Sequence, residues 1–205
     1  MVRLATLGVV LALATPASAD TFKLFGEAHG GGMYGQGTAG TQKDSSFFQK
    51  ARGGTYGALV GAELLFFDAL IEHHQYVNGD GLKTWTQFGV GIHFTSDQGS
   101  AEEKKQGKGS YIEFGGYLWY GLGTGAQVMP PLDNAQITDK AFLGEARFGF
   151  GKHLDKVFDL GVVVPVSYGY FFKTGNGAAV NDVSTHYRGV QGEVLLALRA
   201  NLRLF

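Results

Sequence analysis

The chain has 205 residues with 17 Lys+Arg, 18 Asp+Glu, 33 glycines and no cysteine. Its near-neutral charge and lack of any polybasic run argue against a phosphate-tracking surface, so nucleic acid is not an expected partner. With no thiols a disulfide framework is excluded, and glycine at about twice its usual share points away from an ordinary soluble domain.

Met1 to Ala19 reads as a secretory signal peptide. Arg3 supplies the positive start, Leu4 to Ala14 the apolar run, and Ala17-Ser18-Ala19 a small-residue cleavage site before Asp20. That leaves residues 20–205 as one domain. Beyond residue 19 no run approaches the roughly 20 apolar residues of a membrane helix, so any membrane crossing must be made by strands.

Eight segments alternate apolar and polar residues with period two, as expected for strands with two unlike faces. In the first, Phe22, Leu24, Gly26, Ala28 and Tyr34 oppose Lys23, Glu27 and His29. The second sets Tyr56, Val60, Leu64 and Phe66 against Gly57, Gly61 and Glu63, and a tight turn is predicted near Asp68. The third, Ala69 to Val77, turns Glu72 and His74 inward and places Tyr76 near a rim. Asn78-Gly79-Asp80-Gly81 is a turn signal. The fourth, begun at Trp85, carries Phe88, Val90, Ile92 and Phe94 on one face and Gln87, Gly89, Gly91 and His93 on the other.

Thr95 to Ser110 is charged and without period, and reads as a loop or flexible turn. The fifth segment opposes Ile112, Phe114, Leu118 and Tyr120 to Glu113, Gly115, Tyr117 and Trp119, and the sixth opposes Phe142, Phe148 and Phe150 to Glu145 and Arg147. The seventh has the longest apolar stripe, from Phe158 through Leu160, Val162, Val164, Val166, Tyr168 and Tyr170 to Phe172. Pro165 lies within it and removes a ladder donor, so a bulge or kink is predicted there. The eighth places Val194, Leu196, Leu198 and Leu202 opposite Gln191, Glu193, Arg199, Asn201 and Arg203.

The polar face decides which side meets solvent. In a soluble barrel that face would point to water, yet it is dominated by glycines such as Gly57, Gly89, Gly115, Gly149 and Gly169, which are poor water-facing strand residues. Turned inward, the same glycines make room for long side chains in an interior only as wide as eight strands allow. The expected fold is therefore all-β: an eight-stranded antiparallel up-and-down transmembrane β-barrel. Its predicted lipid-facing residues include Phe88, Val90, Ile92, Leu118, Val162, Val164, Leu196 and Leu198, and its interior charge network is Glu27, Glu63, Glu113, Glu145, Arg147, Glu193 and Arg199. Tyr34, Tyr56, Tyr76, Trp85, Tyr120, Phe142, Phe172 and Tyr187 are expected at one aromatic rim, and Phe22, Phe66, Phe94, Tyr111, Phe150, Phe158 and Phe205 at the other.

These features together resemble the small eight-stranded bacterial outer-membrane barrels, the family of the OmpA transmembrane domain, OmpX and OmpW. The resemblance spans residues 20–205 and implies a Gram-negative outer-membrane location, outer-membrane lipid or lipopolysaccharide around the barrel, and the barrel assembly machinery during biogenesis. The chain departs from the family pattern in two places. Phe205 is out of phase with the outward residues of the last strand, and the connection 95–110 is long for the periplasmic side.

Little in the sequence points to catalysis. His29-Gly30-Gly31-Gly32 matches an oxyanion-hole pattern, but no G-x-S-x-G supplies a nucleophile, and the run reads as a flexible strand end. Ser184 and His186 lack the His-x-Ser-Asn order of the lipid A deacylases, and Gly121 to Gly125 does not match a phosphate loop. Glu72, His74 and His93 are residue types that bind divalent metals, but they are assigned to the interior polar network; no catalytic residue, metal or cofactor is expected. The expected role is non-enzymatic, with loops near residues 35–53, 78–83, 123–140 and 173–185 meeting envelope partners. A narrow solute or ion channel is the alternative, followed by a lipid-modifying enzyme.

Overall fold

The computed structural model describes residues 22–39, 51–78, 81–124, 137–175 and 186–204. Eight strands follow in chain order: β1 (Phe22–Ala39), β2 (Ala51–Leu64), β3 (Phe67–Asn78), β4 (Gly81–Gln98), β5 (Gly109–Thr124), β6 (Ile137–His153), β7 (Phe158–Gly175) and β8 (His186–Arg203). Each pairs with its chain neighbour, and β1 pairs antiparallel with β8, so the sheet closes without an edge. Closure satisfies the backbone groups that hydrocarbon would otherwise strand. Even β3, the shortest at 12 residues, exceeds the roughly 9–11 needed to cross a bilayer as a tilted strand.

The alternation has the expected hand. Val90 is 60% exposed and Leu118 69%, while their strand neighbours Gly89, Tyr117 and Trp119 are buried. An apolar belt therefore faces outward, and the interior is filled by side chains. Leu59, Leu70, Tyr117 and Trp119 pack there as an apolar cluster, with Phe25 and Leu143 against it. A Cβ at Gly91 would press into both the Gly116 carbonyl oxygen and the Tyr117 ring, so glycine here makes room for the Tyr117 side chain.

Several local expectations are corrected. The turn between β2 and β3 is at Leu65 and Phe66, not at Asp68, which lies inside β3 and points inward. Leu65 adopts φ 61°, a conformation that favours glycine or asparagine. The span 95–110 is more ordered than a loop: β4 continues to Gln98, β5 begins at Gly109, and a short helix α1 (Ala101–Lys105) lies between. Ser100 and Glu103 form a capping box that satisfies the first N–H groups of α1. The Ser100 backbone N–H, then its hydroxyl, hold the exposed Glu103 carboxyl below the usual range.

Pro165 causes neither a register slip nor a bulge. The β7–β8 ladder runs to Val163↔Leu195 and resumes at Val166↔Gly192 in the same register, leaving Val164 and Pro165 without ladder partners on β8. On its other side Pro165 stays opposite Arg147 of β6. The missing donor is absorbed as a gap two residues long.

Trp85 is also corrected. It shares parity with Gln87, to which its indole N–H donates at 3.0 Å, and it fills the interior beside Gly121 instead of joining a rim. Tyr76 and Tyr111 turn inward in the same way. Alternation outranks the preference of aromatic rings for interfaces, because moving one residue outward would flip its whole strand.

Candidate functional site

The interior polar residues form connected groups. At the centre, Arg199 of β8 donates to Glu113 of β5 at 2.6 and 2.9 Å and to Glu27 of β1 at 3.0 and 2.7 Å. Arg147 of β6 pairs with the same Glu27 and lies 3.8 Å from Glu72. Four charged side chains from four strands thus neutralise one another across the barrel. They are almost fully buried, and removal of any one strands a charge.

Toward the β4–β5 end, Lys23 lies 2.5 Å from Glu63, and His93 stands 3.4 Å from both Glu63 and Glu113. Tyr117 donates to Asp68 at 2.9 Å. At the same end, His153 meets Asp159 at 2.6 Å and Asp97 at 3.2 Å, and Asn201 donates to Asp159 at 2.6 Å.

On the other side of the arginine cluster, His29, Glu72 and His74 converge, with one ligand atom from each lying within 4.8 Å of the others. Gln87 donates to Glu72 at 2.7 Å, and Gln191 donates to Glu193 at 2.5 Å and to Tyr76 at 3.1 Å. Glu145 is half-buried, and its Oε1 accepts no hydrogen bond from the described residues.

Of the charge network expected from the sequence, the structure brings Glu27, Glu113, Arg147 and Arg199 together directly. It places Glu63 with Lys23 and His93, and Glu193 with Gln191. Glu145 stands apart from these arginine pairs among the described residues. Asp68, Asp159 and Asn201 are interior members that sequence reasoning did not assign to the network. Their inward parity was the available signal, and for Asp68 it was obscured by placing the turn there.

His29-Gly30-Gly31-Gly32 lies within β1, paired to both β2 and β8, and is not a strand end. Ser184 and Phe205 lie outside the described residues, as do the side chains of Phe172, His186 and Tyr187. Tyr34, Tyr56, Phe150 and Phe158 are exposed, Tyr120 packs on Phe142, and Phe94 stacks on Phe66. Phe88, Ile92, Leu196 and Leu198 are exposed, and Val162 and Val164 are half-exposed.

A closed eight-stranded antiparallel meander with an apolar outside and an ion-paired inside is a transmembrane β-barrel, with the architecture of the small outer-membrane barrels. The solved structures similar to it include Neisserial surface protein A (NspA), at 13% identity and TM-score 0.44 over 88% of this chain and 96% of that one. Another is the outer membrane protein OprG from Pseudomonas aeruginosa, at 8% identity and TM-score 0.45 over 90% and 97%. At these values the likenesses accompany the assignment, which rests on strand closure and sidedness. No protein-family model and no curated protein sequence matches the chain.

Proposed function

We propose that the protein is an integral barrel of the Gram-negative outer membrane with a non-catalytic role: a rigid anchor that presents its connections to other envelope components. In this reading the signal segment is removed after Ala19, the assembly machinery inserts the barrel, and lipid or lipopolysaccharide covers the outward belt. The up-and-down order puts the β1–β2, β3–β4, β5–β6 and β7–β8 connections at one end. Recognition on such scaffolds is usually carried by loops.

The observation that carries the reading is the filled interior. The cavity between Lys23, Leu59, His93, Tyr117 and Arg199 has a volume of ≈ 10 Å³, about the space of one water. Beside it the Glu27–Arg147–Arg199–Glu113 cluster and the Trp119 cluster fill the cross-section. Such an interior stabilises the barrel and opposes the passage of solutes.

Planar-bilayer recording tests this. The wild type should be silent, and Glu113→Ala or Arg147→Ala should admit current as the ion pairs break. A steady wild-type conductance would instead establish the channel reading. Release of acyl chains from radiolabelled lipid A by the purified barrel would establish the enzymatic one.

A further inference from the structure

The pairing of β1, β2 and β3 puts His29, Gly57 and His74 in one row across three strands. Two imidazoles separated by a whole strand meet because the residue between them has no side chain. Their ring centroids are 5.2 Å apart, and a Cβ at Gly57 would stand 2.8 Å from His29 Nε2. Glu72, two residues before His74 and on the same face, completes the group: His29 Nε2 is 3.6 Å and His74 Nε2 3.1 Å from its two carboxylate oxygens. Ligand atoms held at about 2.0–2.1 Å in a tetrahedron are themselves about 3.3 Å apart; the two histidine–carboxylate separations bracket that value, and one ligand atom from each residue lies within 4.8 Å of the others.

The ion-pair contacts leave part of the group's bonding capacity unused. The His29 side chain has no solvent exposure, yet among the described residues neither ring nitrogen makes a hydrogen bond, and His74 Nδ1 likewise has no partner there. Glu27 Oε1 lies 3.3 Å from His29 Nδ1, on the side away from Glu72, where a carboxylate orients a metal-bound imidazole and leaves Nε2 free to ligate. Gln87 fixes the Glu72 carboxylate from behind. Glu145 Oε1 and Glu193 Oε2 likewise have no hydrogen-bond partner among the described residues. The nearby Arg147 is shared between Glu72 and Glu27.

From this geometry we infer that His29, Glu72 and His74 bind a divalent transition-metal ion of the zinc class inside the barrel. Two imidazoles and a carboxylate suit zinc-class ions and disfavour calcium or magnesium, which take oxygen ligands. The other cluster of this kind among the described residues, Glu63, Asp68 and His93, is already served by the Lys23 ammonium and the Tyr117 hydroxyl and needs no ion. The site is independent of the anchoring role proposed above and would survive a change in that reading.

The test uses the detergent-solubilised barrel, stripped with a chelator and titrated with Co²⁺ and Zn²⁺. Heat-modifiable gel migration verifies the fold of every sample. The wild type should bind one Co²⁺ with the visible bands of a four- or five-coordinate ion, and Zn²⁺ should displace it. His29→Ala and His74→Ala should each weaken binding at least about tenfold, with His93→Ala unchanged. Absence of saturable Co²⁺ bands in the wild type overturns the site whatever the variants do. So does undiminished binding in folded His29→Ala or His74→Ala, or an equal loss in His93→Ala.

Discussion

Arg199 and Glu113 meet across the barrel interior through two N–H···O contacts of 2.6 and 2.9 Å, a fork-to-fork pair between β8 and β5. The same guanidinium holds Glu27, so the pair is one half of a bridge that ties β1, β5 and β8 together. Desolvation costs such a pair heavily, and its geometry offsets that cost only while every member is present.

Arg199→Ala should therefore lower barrel stability by about 3–5 kcal/mol, because the buried Glu113 loses its guanidinium and keeps only His93, 3.4 Å away, beside it. Arg199→Lys keeps the charge, loses the fork, and should fall between. Urea unfolding followed by tryptophan fluorescence gives the numbers. A loss below about 1 kcal/mol for Arg199→Ala would show that the network contributes little.

Inward and outward glycines should respond differently to the same methyl group. A Cβ at Gly91 runs into backbone and a buried ring, whereas one at Gly116 or Gly144 meets nothing within 4 Å. Gly91→Ala is expected to cost about 1–3 kcal/mol and Gly116→Ala or Gly144→Ala close to nothing. Equal midpoints in parallel urea titrations would contradict the packing described.

A charge placed on the belt tests its sidedness. Leu118→Arg, at the most exposed apolar position of β5, should destabilise the folded barrel by about 2–4 kcal/mol if it meets hydrocarbon. In a barrel surrounded by water the change would be neutral. Folding yield into lipid vesicles, read by the gel shift, separates the two.

The Leu65–Phe66 turn carries removable strain. A left-handed leucine costs about 1–2 kcal/mol, and glycine there gives part of this back as extra freedom of the unfolded chain. Leu65→Gly is thus expected to stabilise by on the order of 0.5–1 kcal/mol. A lower unfolding midpoint for this variant would mean that the Leu65 side chain contributes more through burial in lipid than its backbone loses.

The amino-acid order by itself determined the class of fold and which face points where. A strand has period two, so a stripe such as Phe158 to Tyr170 fixes the orientation of every residue between, and glycines opposite it leave only one side for solvent-averse contact. What it left open was anything that depends on the stagger between strands. Glu27, Arg147, Arg199 and Glu113 are separated by up to 172 positions, and their meeting is set by how far each strand slides past its neighbour. The same stagger placed Gly57 between two histidines. Trp85 went inward because the parity of its strand outweighed its affinity for an interface, and residues 99–108 gained a capped helix from hydrogen bonds too local to disturb any alternation. Alternation is a property of one chain segment, whereas pairing and convergence are properties of the closed sheet.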